Sequence, residues 1–114
     1  LEDADTGVIY YTNVACRRLD VVRGRCRYYS ERTRRMRDCC QLSPFEPEQF
    51  RWLPGTCAYR LLAHGKELPR WHPLVSGDPR SVHAVGISVR GYAVSESRVP
   101  DPDDLEDHII DWLP

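Results

Sequence analysis

Residues 38–62, DCCQLSPFEPEQFRWLPGTCAYRLL, contain the features that best predict the fold of this 114-residue chain. They hold three of its five cysteines, Cys39, Cys40 and Cys57. Pro47 predicts the first position of a short helical segment over residues 48–52, because proline lacks an N–H and the first helical turn needs none. Pro54 and Gly55 then interrupt that segment. The stretch is therefore predicted to contain two helices separated by a tight turn.

The second of these helices is predicted over residues 57–64, with Thr56 as its N-cap and Gly65 at its end. Cys57 then lies in the first helical turn. The free N–H groups there carry partial positive charge, which favours a thiolate over a thiol. Cys57 is therefore the cysteine with the most specific chemical signal in the sequence.

On either side of this stretch the pattern predicts only short elements, separated by turn-forming residues. Upstream we expect two strands, at residues 8–11 and 26–29, and a short helix over 30–37 with Ser30 as its cap. Downstream we expect an extended segment at 69–75, a strand or bent hairpin at 85–94, and a last helix over 103–110 with acids in its first turn. Trp112 and Leu113 are expected to pack back on the body.

These elements predict a small α+β protein with short helices and strands and much irregular backbone. Its length of 114 residues favours a single domain over residues 1–114. Elements this short recover little of the entropy lost on ordering, so the fold is expected to need a cysteine-based staple such as a bound metal.

Composition excludes several classes of protein. With 41% hydrophobic and 29% charged residues the chain resembles ordinary soluble proteins, and it has no apolar run long enough to span a membrane. It opens with the acidic run LEDAD rather than with a signal peptide or a Met, so we expect a cytoplasmic protein from which an N-terminal segment is missing.

Charge is unevenly distributed along the chain. Residues 17–37, the basic segment, hold nine arginines and two acids, whereas residues 101–111, the acidic segment, hold six acids and no Lys or Arg. The basic segment, with Tyr28 and Tyr29 among its arginines, predicts either a face for an anionic partner or a solvated face partly neutralised by the acidic segment. A pI near 6.5 and the lack of a recognised motif argue against a dedicated nucleic-acid binder.

Spacing alone leaves the role of the cysteines open. Four thiolates can close a zinc site or hold an iron–sulfur cluster, yet no Cys-x-x-Cys pair is present, and unligated cysteines are common in protein cores. Disulfides would need an oxidising compartment that nothing in the sequence indicates. His64 and His72 are candidate additional ligands. No recognisable catalytic motif is present, so the sequence leaves enzymatic activity uncertain.

Several segments resemble one family of bacterial proteins. They are IYYTNVACR (9–17), CRYY (26–29), WLPGTCAYRLL (52–62), LPRWHPL (68–74) and ISVRG (87–91). Together they resemble the YcgN-type proteins of the YkgJ-like group, which are described as zinc- or iron-chelating, or CxxCxxCC, domains.

This resemblance implies a set of metal ligands. The cysteines that fall on family positions are Cys16, Cys26, Cys39 and Cys57. Cys40 falls where an aliphatic residue is usual, so we expect it to be a packing residue. The family's Cys-x-x-Cys-x-x-Cys-Cys block is absent from this chain, and the resemblance implies that it would complete the site.

The resemblance also defines the expected function. We expect a cytoplasmic protein that binds zinc, iron or an iron–sulfur cluster, with an unknown cellular role and unknown partners. Family members are sometimes labelled iron–sulfur oxidoreductases, a label that comes without a mechanism. The alternative is a metal-free interaction module that binds an anionic protein or nucleic acid through the basic segment.

Overall fold

The computed structural model of this protein describes residues 1–111. These residues form two compact units, the first made of residues 1–37 and 89–111 and the second of Asp38–Ser88. The expectation for Trp112 and Leu113 lies outside the described residues. The two units are defined by the density of contacts, whereas a domain is defined by cooperative folding. The single domain predicted over residues 1–114 therefore stays a prediction.

The first unit contains three two-stranded sheets. Its strands are β1 (Tyr11–Thr12), β2 (Val14–Ala15), β3 (Leu19–Asp20), β4 (Arg25–Cys26), β5 (Val94–Ser95) and β6 (Ile109–Ile110). β1 pairs with β6 antiparallel, β2 pairs with β5 in parallel, and β3 and β4 form an antiparallel hairpin. The C-terminal strands therefore pair with strands from the beginning of the chain.

Asn13 lies between β1 and β2 and holds both to the C-terminal segment. Its N–H donates to the carbonyl of His108 at 3.1 Å, and its carbonyl accepts the N–H of Val94 at 2.8 Å. Its side-chain Oδ1 also lies 3.0 Å from Nδ1 of His108. These contacts fix β5 beside β2.

The rest of the first unit is helical in short pieces. These are the 3₁₀-helix Tyr29–Glu31, the helix α1 (Arg32–Arg35), and the 3₁₀-helices Glu96–Arg98 and Pro102–His108. Asp101 caps the last of them by accepting the N–H of Asp103 at 3.0 Å. Acids therefore lie in its first turn, as the sequence predicts.

The second unit is helical and contains the residues that are most buried. Its elements are the 3₁₀-helix Pro47–Trp52 and the helices α2 (Ala58–Ala63), α3 (Pro73–Ser76) and α4 (Ser81–Ala84). Phe50 and Leu53 are 4% and 7% exposed, and within residues 1–111 no other side chain is buried. The ring of Phe50 lies 5.4 Å from that of Tyr59 on α2, and the guanidinium of Arg60 donates to the carbonyl of Leu53. The core of this unit therefore lies between the 3₁₀-helix Pro47–Trp52 and α2.

The C-terminal end of α2 agrees with the prediction that Gly65 ends this helix. Gly65 has a φ of +69°, the left-handed conformation that glycine adopts without strain. The N–H of Lys66 donates to the carbonyl of Leu61 at 2.9 Å, and the N–H of Gly65 to that of Leu62 at 3.1 Å. This pair of hydrogen bonds is the Schellman motif, which satisfies carbonyls that the helix leaves free. The predicted end of the helix is confirmed.

Two predicted extended segments are wrong. Residues 69–75 run into α3, because the imidazole of His72 caps that helix by accepting the N–H of Leu74 at 3.2 Å. In residues 85–94 the alternation of apolar residues does not form a hairpin. Gly86 and Gly91 adopt φ values of +76° and +88°, which turn the chain before the strand β5.

Other boundaries also shift. Ser30 does not act as a cap, since the position before α1 is Glu31 and no side chain caps that helix. The predicted strand at 26–29 ends at Cys26, and that at 8–11 begins only at Tyr11, with an isolated bridge from Ile9 to Glu2. In the last predicted helix, residues 109–110 belong to β6, because pairing with β1 satisfies their backbone groups.

The predicted mixture of short helices and strands is confirmed. Stapling by a metal stays a prediction. Within residues 1–111 no helix is both long enough and apolar enough to cross a membrane.

Candidate metal centre

All five cysteines lie in the described residues and are free thiols. The first unit holds Cys16 and Cys26, and the second holds Cys39, Cys40 and Cys57. Cys16 and Cys40 are exposed, and the other three are half-buried. The expectation that Cys40 is a packing residue is therefore wrong, because its side chain faces solvent.

The position of Cys16 is fixed by the parallel pair β2–β5. Ala15 lies opposite Ser95, so the next residues, Cys16 and Glu96, leave neighbouring strands at the same edge. The Glu96 Oε1 accepts the N–H of Arg17 at 3.0 Å and lies 3.4 Å from the Nε of the same residue. The backbone that follows Cys16 is thus anchored by an acid from the other end of the chain.

The sulfur of Cys16 receives a hydrogen bond from the backbone. The N–H of Arg18 points to Sγ at 3.4 Å, and the Cys16 carbonyl accepts the N–H of Leu19 at 2.9 Å. A tight turn therefore holds this side chain. This hydrogen bond fixes the orientation of the Cys16 side chain.

Cys26 lies on the hairpin that follows Cys16. It pairs with Leu19, and the neighbouring N–H of Arg27 donates to the Arg18 carbonyl at 2.9 Å. One continuous hydrogen-bonded segment therefore carries both cysteines of the first unit.

Asp20 holds the turn of this hairpin. Its Oδ1 accepts the N–H groups of Val22 and Arg23 at 3.0 and 3.1 Å. The hydrogen bond from Arg23 is the main cause that lowers the pKa of the Asp20 carboxyl below its ordinary value, followed by that from Val22 and by the charge of Arg27. The turn is therefore held most firmly when Asp20 is ionised.

Cys57 occupies the N-cap of α2 rather than its first turn, one position earlier than predicted. Its carbonyl accepts the N–H of Leu61 at 2.9 Å, which starts the helix, and no side chain makes a capping hydrogen bond. Cys39 lies in irregular backbone between the helix α1 and the 3₁₀-helix Pro47–Trp52. The second unit thus contributes one thiol at a helix start and one from a loop.

Within residues 1–111 no group of three or more His, Cys, Asp or Glu side chains is arranged to hold a metal ion. The predicted ligand set Cys16, Cys26, Cys39 and Cys57 is divided two and two between the units. Its completion by a further cysteine block stays a prediction.

The histidines have other roles. His72 uses Nδ1 to accept the N–H of Leu74 at 3.2 Å, and it stacks on Trp71 with 5.8 Å between ring centroids. The Nδ1 of His72 is therefore used in capping α3. His64 is exposed at the end of α2, and its imidazole makes no hydrogen bond within the described residues.

A groove of about 550 Å³ lies in the first unit beside Cys16. Its polar wall contains Cys16, Arg17, Glu96 and Ser97, and apolar residues such as Val14 and Leu105 form the rest. Sequence reasoning missed Glu96 because it is a single acid with no motif around it. Only the pairing of β2 with β5 reveals its place.

The basic segment is partly neutralised, but not by the acidic segment. Its ion pairs are Arg17 with Glu96, Arg23 with Asp20, and Arg34 and Arg35 with Glu31. In the described chain no acid of residues 101–111 pairs with an arginine of the basic segment. Within the described residues five arginines of this segment form no ion pair: Arg18, Arg25, Arg27, Arg32 and Arg37.

The two tyrosines of the basic segment already contact its arginines. The guanidinium carbons of Arg35 and Arg18 lie 4.1 and 5.6 Å from the ring centroid of Tyr28, and that of Arg32 lies 4.1 Å from the ring of Tyr29. These cation–π contacts cover surfaces on which a base would stack. Arginine side chains of the same segment therefore already lie against both tyrosine rings.

Comparison with known proteins identifies similar sequences. The model of the family described as "CxxCxxCC: Putative zinc- or iron-chelating domain" matches residues 1–58. A "UPF0260 protein" of Azotobacter vinelandii is 54% identical over 110 residues, which cover 96% of this chain and 73% of that protein. A "UPF0260 protein" of Cellvibrio japonicus is 53% identical over 99% of this chain and 76% of its own length. No solved structure matches.

Proposed function

Because the chain belongs to this family of CxxCxxCC zinc- or iron-chelating domains, we propose that it binds zinc or iron through thiolates. The proposed ligands are Cys16, Cys26, Cys39 and Cys57. The observation that carries the proposal is that all five cysteines fall within residues 1–58, the part that the family model matches, and that all five are free thiols.

The small core supports this proposal. Within residues 1–111 only Phe50 and Leu53 are buried, and both belong to the second unit. The described part of the first unit has two-residue strands and no buried side chain. Small proteins with little core depend on cross-links such as a structural metal, whose binding energy becomes folding energy.

The chemistry of the donors fits both metals. Thiolates bind zinc tetrahedrally and also hold iron–sulfur clusters. The hydrogen bond from the Arg18 N–H to Cys16 Sγ is of the kind that orients a metal ligand and tunes its charge. The residues favour neither metal over the other.

Elemental analysis of protein purified without oxygen tests the proposal. We expect about one zinc or iron ion per chain, or a larger amount of iron with matching sulfide for a cluster. A visible absorbance band would identify the cluster. Metal below about one-tenth of an ion per chain, together with a stability that chelators leave unchanged, would contradict the proposal.

The basic segment supports a second candidate function, the binding of an anionic protein or nucleic acid. The observation in its favour is the group of arginines without an ion pair in the described residues, Arg18, Arg25, Arg27, Arg32 and Arg37. Arg18 and Arg32 contact tyrosine rings, and the charge of Arg27 acts on Asp20. Arg25 and Arg37 are therefore the two chosen for the test.

We expect replacement of Arg25 and Arg37 by alanine to weaken binding of a labelled single-stranded DNA. The slope of log affinity against log salt concentration should become shallower by about 0.7 for each phosphate that the variant no longer neutralises. Lys66→Ala with Arg70→Ala removes the same charge from the second unit and is the matched control. Equal weakening in both variants, or no binding at low salt, would exclude a specific basic face.

A further inference from the structure

Glu96 is the acid that the fold brings next to a proposed metal ligand. It lies 79 residues after Arg17 in the chain, yet its carboxylate contacts the residue that follows Cys16. The contact results from the parallel register Ala15–Ser95, which places Cys16 and Glu96 at the ends of paired strands. Neighbouring strands lie about 4.8 Å apart, within reach of a shared ion.

The two oxygens of this carboxylate have different environments. Oε1 accepts the Arg17 N–H at 3.0 Å and lies 3.4 Å from the Arg17 Nε. Oε2 has no hydrogen-bond or ion-pair partner within the described residues. The side chain of Glu96 is 42% exposed.

Cys16 and Glu96 also share the wall of one groove. The sulfur of Cys16 is exposed there and is held by the N–H of Arg18. A thiolate and a carboxylate side by side repel each other, and a cation between them turns this repulsion into attraction. Arg17 contacts Oε1, which leaves Oε2 without a partner in the described residues.

We propose that Glu96 is an oxygen ligand, through Oε2, of the metal ion that Cys16 binds. The inference rests on the proposed metal-binding function and adds a residue that the cysteine pattern does not contain. Zinc and iron both accept carboxylate oxygen beside sulfur. The contacts of Arg17 with Oε1 then act as the hydrogen bonds that orient a ligating carboxylate. The inference concerns the pair Cys16 and Glu96, which line the same groove of the first unit.

A zinc competition titration with a chromophoric chelator gives the first test. Glu96→Gln keeps an oxygen that accepts the Arg17 N–H but removes the negative charge, and we expect it to weaken zinc binding at least tenfold. Glu106→Gln makes the same chemical change on the 3₁₀-helix Pro102–His108 of the same unit and should leave the affinity unchanged. The circular dichroism of the apo proteins, recorded first, shows whether each variant is folded.

A second variant separates coordination from positioning. If Oε2 reaches the metal, Glu96→His, whose Nε2 extends about as far from the backbone as the carboxylate oxygen, should add the outer-shell scattering of one imidazole in X-ray absorption at the metal edge. A spectrum without added imidazole scattering would show that Glu96 only anchors Arg17 and would overturn its assignment as a ligand. Unchanged affinity in Glu96→Gln would overturn it as well. If the unaltered protein binds no metal, the proposed function is wrong. If the protein binds metal but the Glu96 variants bind it equally well, only the assignment of Glu96 is wrong and the proposed cysteine site is unaffected.

Discussion

Replacing Cys16, Cys26, Cys39 and Cys57 together by serine is expected to abolish the binding of zinc and iron. A serine hydroxyl keeps its proton near neutral pH and is a hard oxygen donor, so it does not replace the thiolate that these metals select. Structural zinc sites have apparent binding energies of about 10–16 kcal/mol, so the effect is seen directly in metal content and dissociation constant.

Cys40→Ser is the control for this experiment. Cys40 is exposed and adjacent to Cys39, so the change has the same chemistry in the same loop. It should leave the metal content intact. Metal retained by the fourfold variant, or equally absent from Cys40→Ser, would contradict the ligand assignment.

Pairwise variants report how the two units contribute. Cys16→Ser with Cys26→Ser removes the thiols of the first unit, and Cys39→Ser with Cys57→Ser those of the second. A single shared ion predicts that either pair abolishes binding. Two separate ions predict that each pair removes half of the metal.

Phe50→Ala is expected to destabilise the second unit strongly. Phe50 is 4% exposed, and its ring contacts Tyr59 with 5.4 Å between centroids. Truncating a buried phenylalanine to alanine costs about 3–5 kcal/mol, because apolar burial decreases and a cavity remains. In a domain of about 100 residues this lowers the Tm by on the order of 10 °C or more.

The chain contains its own control for this change. The other phenylalanine, Phe45, lies in the same unit and is 89% exposed. Phe45→Ala removes the same atoms from solvent rather than from the core, so thermal unfolding should be nearly unchanged. Similar Tm values for the two variants would show that Phe50 is not the centre of the core.

Several predictions from local chemistry are confirmed by the structure. Pro47 begins a 3₁₀-helix because its missing N–H is not needed there, and Gly65 ends α2 because it adopts positive φ without strain. The acids at the start of the Pro102–His108 helix follow the same logic. Each of these signals acts within four or five residues.

Other predictions fail, and one fails because of a distant partner. Residues 109–110 have a helical pattern but pair with β1, nearly one hundred residues earlier. The apolar alternation at 85–94 predicts a strand or bent hairpin, yet the positive φ values of Gly86 and Gly91 turn the backbone before β5. Cys57 moves only one position, from the first turn to the N-cap, because helix boundaries are the least certain feature of any local pattern.

The sequence by itself determined the cysteine set, the helix-breaking residues and the family, because these depend on residue type and short spacing. Only the tertiary structure decided which residues meet. It divides the four predicted ligands between two units, uses Nδ1 of His72 as a helix cap, and brings Glu96 beside Cys16. The physical reason is that strand pairing joins segments far apart in the chain through backbone hydrogen bonds. Nearly every residue type can form these bonds, so the sequence does not show which segments pair.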